Sequence, residues 1–182
     1  MILKKIKLDY DFNIFLQADY SAHKGSCISY QRREQETLHK NFGHGFPDSY
    51  HEDNTCIHQL WFDNQQVDYD YIGKQLGIEV ITISSILQPP GNVITLHRDT
   101  FYQISKKFPN DTRTKVRANI YLQDWEIGHL IHYKDLNDNW QINTHWLSGE
   151  GFLWDSDILH IGANIGVVNK YTLQISGFLI NK

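Results

Sequence analysis

The chain has 182 residues, of which 41% are hydrophobic, and a net charge of -4, so we expect one domain over residues 1–182 with a sizeable core. Acidic and basic residues are mixed along the sequence, which argues against a nucleic-acid partner held by backbone charge. Cys27 and Cys56 cannot form a disulfide framework, and no CxxC occurs, so we expect a cytoplasmic protein. The N-terminal residues lack the apolar core of a signal peptide and no run is long enough to span a bilayer, so no membrane partner is expected.

Residues 1–77 are interpreted as an N-terminal extension with supporting elements. Lys4 to Leu8 favours an edge strand, and the polar segment 21–54, which contains Gly25, Gly43, Gly45 and Pro47, favours loops or a short helix. This segment is the candidate for a substrate lid. Four histidines in or just after this segment are interpreted as surface residues, with lid or substrate contacts as the alternative; they are His39, His44, His51 and His58.

A helix and two strands are predicted next. Asp68 to Gly77 is a short helix, because the aspartate supplies an N-cap and the glycine a stop. Residues 78–87 are β-branched and apolar and predict a strand, which a turn at 88–92 connects to a second strand over 93–97. Residues 101–107 predict another short helix.

From Lys115 onward the sequence predicts short strands separated by turns. Val116, Ala118, Ile120 and Leu122 alternate with polar residues at 117, 119, 121 and 123, as in a strand with one buried face. Further strands are predicted over 129–133, 140–147, 151–154, 158–161 and 171–180. Short strands with almost no helix between them indicate a mainly β protein: a sandwich, a barrel or a jelly roll.

His97 and Asp99 follow the strand over 93–97, and a spacing of two places both side chains on one face. An HxD pair alone is weak evidence, because about one is expected by chance. A second pair, His51 and Asp53, lies in a polar loop with no strand to orient it. The alternative for His97 is a core or surface histidine beside a solvated aspartate.

Two downstream features favour a metal site. His160 ends a predicted strand in the same β region and completes a two-His-one-carboxylate set, which leaves positions of a six-coordinate Fe(II) open. Lys170 lies ten residues later and shares a strand face with Thr172. Because a buried ammonium needs a partner, this pair is a candidate seat for a carboxylate.

With His97, Asp99, His160, Lys170 and Thr172, the sequence resembles the Fe(II)/2-oxoglutarate-dependent oxygenases, especially small prolyl-hydroxylase-like and phage-type members. The resemblance covers residues 78–177. It implies a double-stranded β-helix, a cupin-like jelly roll, with a few N-terminal supporting helices. It also implies that the HxD pair and the distal histidine bind iron, and that Lys170, with the Thr172 hydroxyl beside it, binds the far carboxylate of 2-oxoglutarate.

The resemblance implies hydroxylation of a C–H bond, with O2 consumed, succinate and CO2 released, and ascorbate as a candidate reductant. A carboxylate at Asp99 fills the position that related halogenases leave open for chloride, so hydroxylation is favoured. The expected substrate is a peptide or protein side chain or a small metabolite.

A second co-substrate contact is less well defined, because Gln88 and Ile94 stand near the positions where prolyl hydroxylases carry tyrosines. The candidates for this contact are Gln88, Arg117, Asn119 and Tyr121. Arg117 could equally pair with a surface carboxylate. The tryptophans at 125, 140, 146 and 154 are interpreted as core and rim residues.

Two other functions are consistent with the pattern. A cupin-type metalloenzyme that uses no 2-oxoglutarate has no role for Lys170, and a non-catalytic jelly-roll module that binds a sugar or a peptide has no metal.

Overall fold

The computed structural model describes residues 1–26 and 50–180. Most of the candidate lid, with His39 and His44, lies outside the described residues. The strands are β1 (Leu3–Lys7), β2 (Lys24–Ser26), β3 (Cys56–Phe62), β4 (Ile78–Gln88), β5 (Asn92–His97), β6 (Lys115–Tyr121), β7 (His129–Lys134), β8 (Trp140–Asn143), β9 (Glu150–Trp154), β10 (His160–Asn164) and β11 (Lys170–Leu179). The helices are α1 (Asn13–Leu16), α2 (Tyr69–Leu76) and α3 (Tyr102–Lys107), with a 3-10 turn at Ser21–His23.

Two antiparallel sheets face each other. The larger has the order β1-β9-β6-β11-β4-β3-β2 and the smaller has the order β5-β10-β7-β8. From β4 onward the chain passes repeatedly from one sheet to the other, which is the winding of a double-stranded β-helix. The predicted fold class is therefore confirmed.

Strand β6 shows how the sequence pattern is used. Its alternate residues Val116, Ala118 and Ile120 are fully buried in the main apolar cluster, which also contains Phe15 of α1 and Ile72 of α2. This outer face of the larger sheet is therefore covered by the N-terminal elements, and the intervening residues of β6 face the smaller sheet. The interior of the β-helix thus receives polar side chains from β6 at defined positions.

The predicted helix at 68–77 forms as α2. The Asp68 side chain accepts a hydrogen bond from the backbone N–H of Tyr71, and Gly77 ends the helix with a left-handed φ of 71°. The predicted strand over 140–147 is wrong at its C-terminal end, because β8 stops at Asn143 and His145 takes a φ of 59° that no strand allows. No helix within 1–26 and 50–180 has the length and apolar character needed to cross a membrane.

Candidate metal centre

The two predicted histidines meet where β5 ends and β10 begins. His97 is the last residue of β5, His160 is the first of β10, and the two residues are directly paired in the antiparallel ladder. Their ring centroids are 4.1 Å apart. With one ligand atom from Asp99, the candidate ligand atoms of the three residues lie within 4.8 Å of one another. The structure therefore brings His97, Asp99 and His160 together at one end of the β-helix.

Each imidazole is held by the backbone carbonyl oxygen two residues before it in the chain. His97 Nδ1 donates to the carbonyl oxygen of Thr95 at 2.7 Å, and His160 Nδ1 donates to that of Ile158 at 3.1 Å. Because a carbonyl oxygen can only accept, the hydrogen is on Nδ1 and the lone pair is on Nε2. A backbone acceptor on one ring nitrogen is the usual way in which a metal-binding histidine is oriented.

Asp99 is 4% exposed and both its oxygens have donors. The Arg117 guanidinium forms an ion pair with Oδ1, and the Trp154 indole N–H donates to Oδ2 at 2.8 Å. Burial alone raises the pKa of this carboxyl, but Arg117, the two imidazoles and the indole hydrogen bond together lower it below its ordinary value. Asp99 is therefore an ionised carboxylate.

Burial also controls the protonation of the histidines. It lowers the pKa of His97 to about 3, with the neighbouring His160 as the next cause, and it lowers the pKa of His160. Both imidazoles are then neutral near pH 7. Two neutral imidazoles and one carboxylate are the donor set of a non-haem Fe(II) site, so the triad fits an iron ion.

A cavity of about 890 Å³ adjoins the triad at His97 and Asp99. Its walls come from β3, β4, β11 and α3, and Arg117 of β6 lies among its lining residues. The side chain of Arg117 is held by a hydrogen bond from Nε to Ser176 Oγ at 3.0 Å, and its guanidinium lies over the Phe101 ring at 5.6 Å. Phe101 has a left-handed φ of 50°, a strained conformation at the turn that follows Asp99.

Lys170 lies deeper in the β-helix. It begins β11 and pairs with Gln88, and it is 2% exposed. Its ammonium donates to the carbonyl oxygens of Leu130 and Ala163 at 2.7 and 3.3 Å, and no carboxylate contacts it in the part of the chain that the structure describes. Burial lowers its pKa to about 7. Ala163, one of the two acceptors of the Lys170 ammonium, is three residues from His160 along β10, which corresponds to a rise of about 10 Å between this acceptor and the metal-binding end of the strand.

The structure does not bring all the other candidates to the triad. The Gln88 side chain donates to the backbone oxygens of Asn92 and Gly162, and Thr172 is half-buried opposite Tyr121 in the ladder. Tyr121 stacks on Trp146 with centroids 3.9 Å apart, and its hydroxyl accepts from Asn143 at 3.0 Å.

The remaining two candidates for the second co-substrate contact, Asn119 and Arg117, lie on one face of β6. Asn119 is 7% exposed on the same face as Arg117. Arg117 pairs with Asp99, which is a buried carboxylate and not a surface one. Of the four candidates for a second co-substrate contact, Arg117 alone contacts the triad.

Sequence reasoning missed the contacts of Trp154 and Ser176. Trp154 is indeed buried, but its indole both donates to Asp99 and packs against His160 with centroids 4.4 Å apart. Its position at the end of β9 gave no signal for this role, because the partner is 55 residues away in the chain. Ser176 lies on the same face of β11 as Lys170 and Thr172, because the three are separated by even numbers of residues. The period of two along this strand would therefore have placed Ser176 inside the β-helix.

The fold is similar to solved structures of non-haem oxygenases. The chain superposes on a prolyl-4-hydroxylase of Pseudomonas putida with a TM-score of 0.53 and 12% identity, over 97% of this chain and 92% of that one. Two proteins of nogalamycin biosynthesis are similar as well. One, a non-haem alpha-ketoglutarate-dependent epimerase, gives a TM-score of 0.52 and 12% identity, over 81% of this chain and 70% of that one. The other, a non-haem alpha-ketoglutarate-dependent carbocyclase, gives a TM-score of 0.51 and 13% identity, over 83% of this chain and 74% of that one.

These neighbours belong to the Fe(II)/2-oxoglutarate oxygenases, so the resemblance seen in the sequence is confirmed at the level of the fold. No family model matches the chain. No curated protein matches it in sequence.

Proposed function

We propose that the protein is an Fe(II)- and 2-oxoglutarate-dependent dioxygenase that hydroxylates a C–H bond of a small metabolite or of a peptide or protein side chain. The observation that carries the proposal is the convergence of His97, Asp99 and His160 in a double-stranded β-helix, beside a cavity of about 890 Å³ that His97 and Asp99 line. When bound, iron with 2-oxoglutarate and dioxygen supplies the oxidising power, and succinate and CO2 are released.

Each residue has a separable task in this proposal. The two Nε2 atoms and the Asp99 carboxylate would hold the ion, which would supply the binding site for co-substrate and dioxygen. Trp154 and Arg117 orient the carboxylate through one hydrogen bond on each oxygen. Lys170 binds the far carboxylate of 2-oxoglutarate, which supplies the negative partner that the buried ammonium lacks among the described residues.

The test is the formation of succinate from 2-oxoglutarate by the Fe(II)-loaded protein, with ascorbate present, measured with and without a panel of small metabolites and peptides. We expect turnover without added substrate that is lost in His97→Ala and is retained in His51→Ala. The second variant is a matched control, because His51 belongs to the other HxD pair and is exposed. If the wild type forms no succinate under any condition, the proposal is wrong.

A separate measurement addresses the co-substrate. Calorimetry with N-oxalylglycine on Mn(II)-loaded protein should show binding that is lost in Lys170→Ala. Metal binding without N-oxalylglycine binding would instead favour a cupin-type enzyme that uses no keto acid.

A further inference from the structure

The cavity beside the triad has an unusual balance of charge. Four cationic side chains line it, from Arg98, Lys106, Lys107 and Arg117. Asp99 is the one carboxylate among the described lining residues, and in the proposed function, on which this inference rests, its charge is committed to the metal ion. Such a wall attracts a negatively charged ligand and disfavours a cationic one.

Arg117 is the cation that is placed to bind such a ligand near the reacting centre. Its Nε donates to Ser176, its Nη1 donates to Asp99, and its guanidinium carbon lies over the Phe101 ring. These contacts fix the planar group, while Nη2 has no partner among the described residues and 20% of the side chain is exposed. A preorganised guanidinium with free N–H groups binds carboxylate or phosphate with two parallel hydrogen bonds.

The remainder of the cavity lining combines apolar side chains with polar ones such as Gln59 and Gln174. Side chains of Ile81, Ile86, Ile94, Ile104 and Phe101 contribute to its lining. A ligand that fills this space therefore combines a hydrocarbon part with its anionic group.

We propose that the substrate is a small amphiphilic anion whose carboxylate or phosphate binds Arg117, so that its hydrocarbon part lies against the apolar residues that line the same cavity. Arg117 is then a specificity-determining residue as well as a support for Asp99. The rival explanations are that Arg117 binds 2-oxoglutarate itself, or that it only orients Asp99.

The test measures binding to protein loaded with Mn(II) and saturated with N-oxalylglycine, which blocks the co-substrate site. The probes are hexanoate, hexyl phosphate and hexanamide, which share a hydrocarbon tail and differ in the headgroup. They are titrated by calorimetry into the wild type, Arg117→Gln and Arg113→Gln. Arg113 is the matched control, because it also pairs with carboxylates and lies over a phenylalanine ring, at 4.2 Å, but it is exposed and does not line the cavity.

We expect at least one anion to bind the wild type about tenfold or more tightly than the amide, since an arginine–carboxylate or arginine–phosphate pair is bidentate and charge-assisted. This preference should fall below about threefold in Arg117→Gln and persist in Arg113→Gln. With Mn(II) at a concentration that saturates each protein, the affinity for N-oxalylglycine should stay within about threefold of wild type in both variants. Whichever of hexanoate and hexyl phosphate binds more tightly identifies the anionic headgroup that the site prefers.

Three results would overturn the proposal: equal binding of anions and amide to the wild type, a preference that survives in Arg117→Gln, or a parallel loss of N-oxalylglycine binding in that variant. The comparison of anions with the amide on the wild type needs no variant. If Arg117→Gln does not fold, Arg117→Lys replaces it: this variant keeps the positive charge but loses the planar pair of N–H donors, so it should retain an intermediate preference for the anion over the amide. If N-oxalylglycine fails to bind the wild type, the proposed function fails, while the comparison of anion with amide on the Mn(II) protein still decides the role of Arg117.

Discussion

Replacing Lys170 with methionine should stabilise the metal-free protein at neutral pH. Burial lowers the pKa of this ammonium from 10.5 to about 7. Each tenfold change in the protonation equilibrium corresponds to about 1.4 kcal/mol, so the free-energy cost of burying the charged Lys170 ammonium is at most about 5 kcal/mol. Methionine keeps the apolar stem and removes the charge, and the loss of two hydrogen bonds to carbonyl oxygens offsets about 1 to 3 kcal/mol. We therefore expect a net gain of at most about 2 to 4 kcal/mol.

The gain should depend on pH in a defined direction. Between about pH 7 and 10.5 the folded protein has lost the Lys170 proton and the unfolded chain retains it, so the stability of the wild type rises with pH over this interval. The penalty is complete below pH 7 and nearly absent above pH 10.5. The advantage of Lys170→Met should accordingly be largest at pH 6.5 and small at pH 9.5.

Urea unfolding of the wild type and the variant at these two pH values measures the difference. The control is Lys74→Met, an exposed position on α2 that should change the free energy of unfolding by less than about 0.5 kcal/mol at either pH. The same Lys170 variant should bind N-oxalylglycine at least about thirtyfold more weakly, because the ligand carboxylate loses its charged partner. A Lys170→Met protein that is less stable than wild type at both pH values, or that binds the analogue equally well, would refute the reasoning.

Two further predictions concern packing and the triad. Trp154→Phe removes the indole hydrogen bond to the triad carboxylate and should weaken Mn(II) binding about tenfold or more, measured by electron paramagnetic resonance. The control Trp140→Phe should change the Mn(II) affinity less than about twofold. Equal Mn(II) affinities of the wild type and Trp154→Phe would exclude a role for the indole. Gly177→Ala places a Cβ 1.9 Å from the Glu79 carbonyl oxygen and should cost about 1 to 3 kcal/mol in urea unfolding. Gly25→Ala, with nothing within 4 Å, should change stability by less than about 1 kcal/mol, and a Gly177 variant of equal stability would contradict this close contact.

The sequence by itself determined the elements whose signals are local. The helix α2 follows from a capping aspartate and a terminating glycine, and the two faces of β6 follow from an alternation of period two. The HxD spacing likewise keeps Asp99 within two residues of His97, at the end of β5. The loop after Asn143 escaped prediction, because its apolar residues resemble a strand and the left-handed φ of His145 has no clear local signal.

Only the tertiary structure decided which distant residues meet. His160 reaches His97 because β10 pairs with β5 in one register, and a ladder of this kind is fixed by the sum of many weak contacts across both sheets. The contacts of Arg117 and Trp154 with Asp99 join residues 18 and 55 positions apart, and no periodicity encodes them. The charge of the cavity arises in the same way, from strands and a helix that are brought together only when the two sheets close on each other.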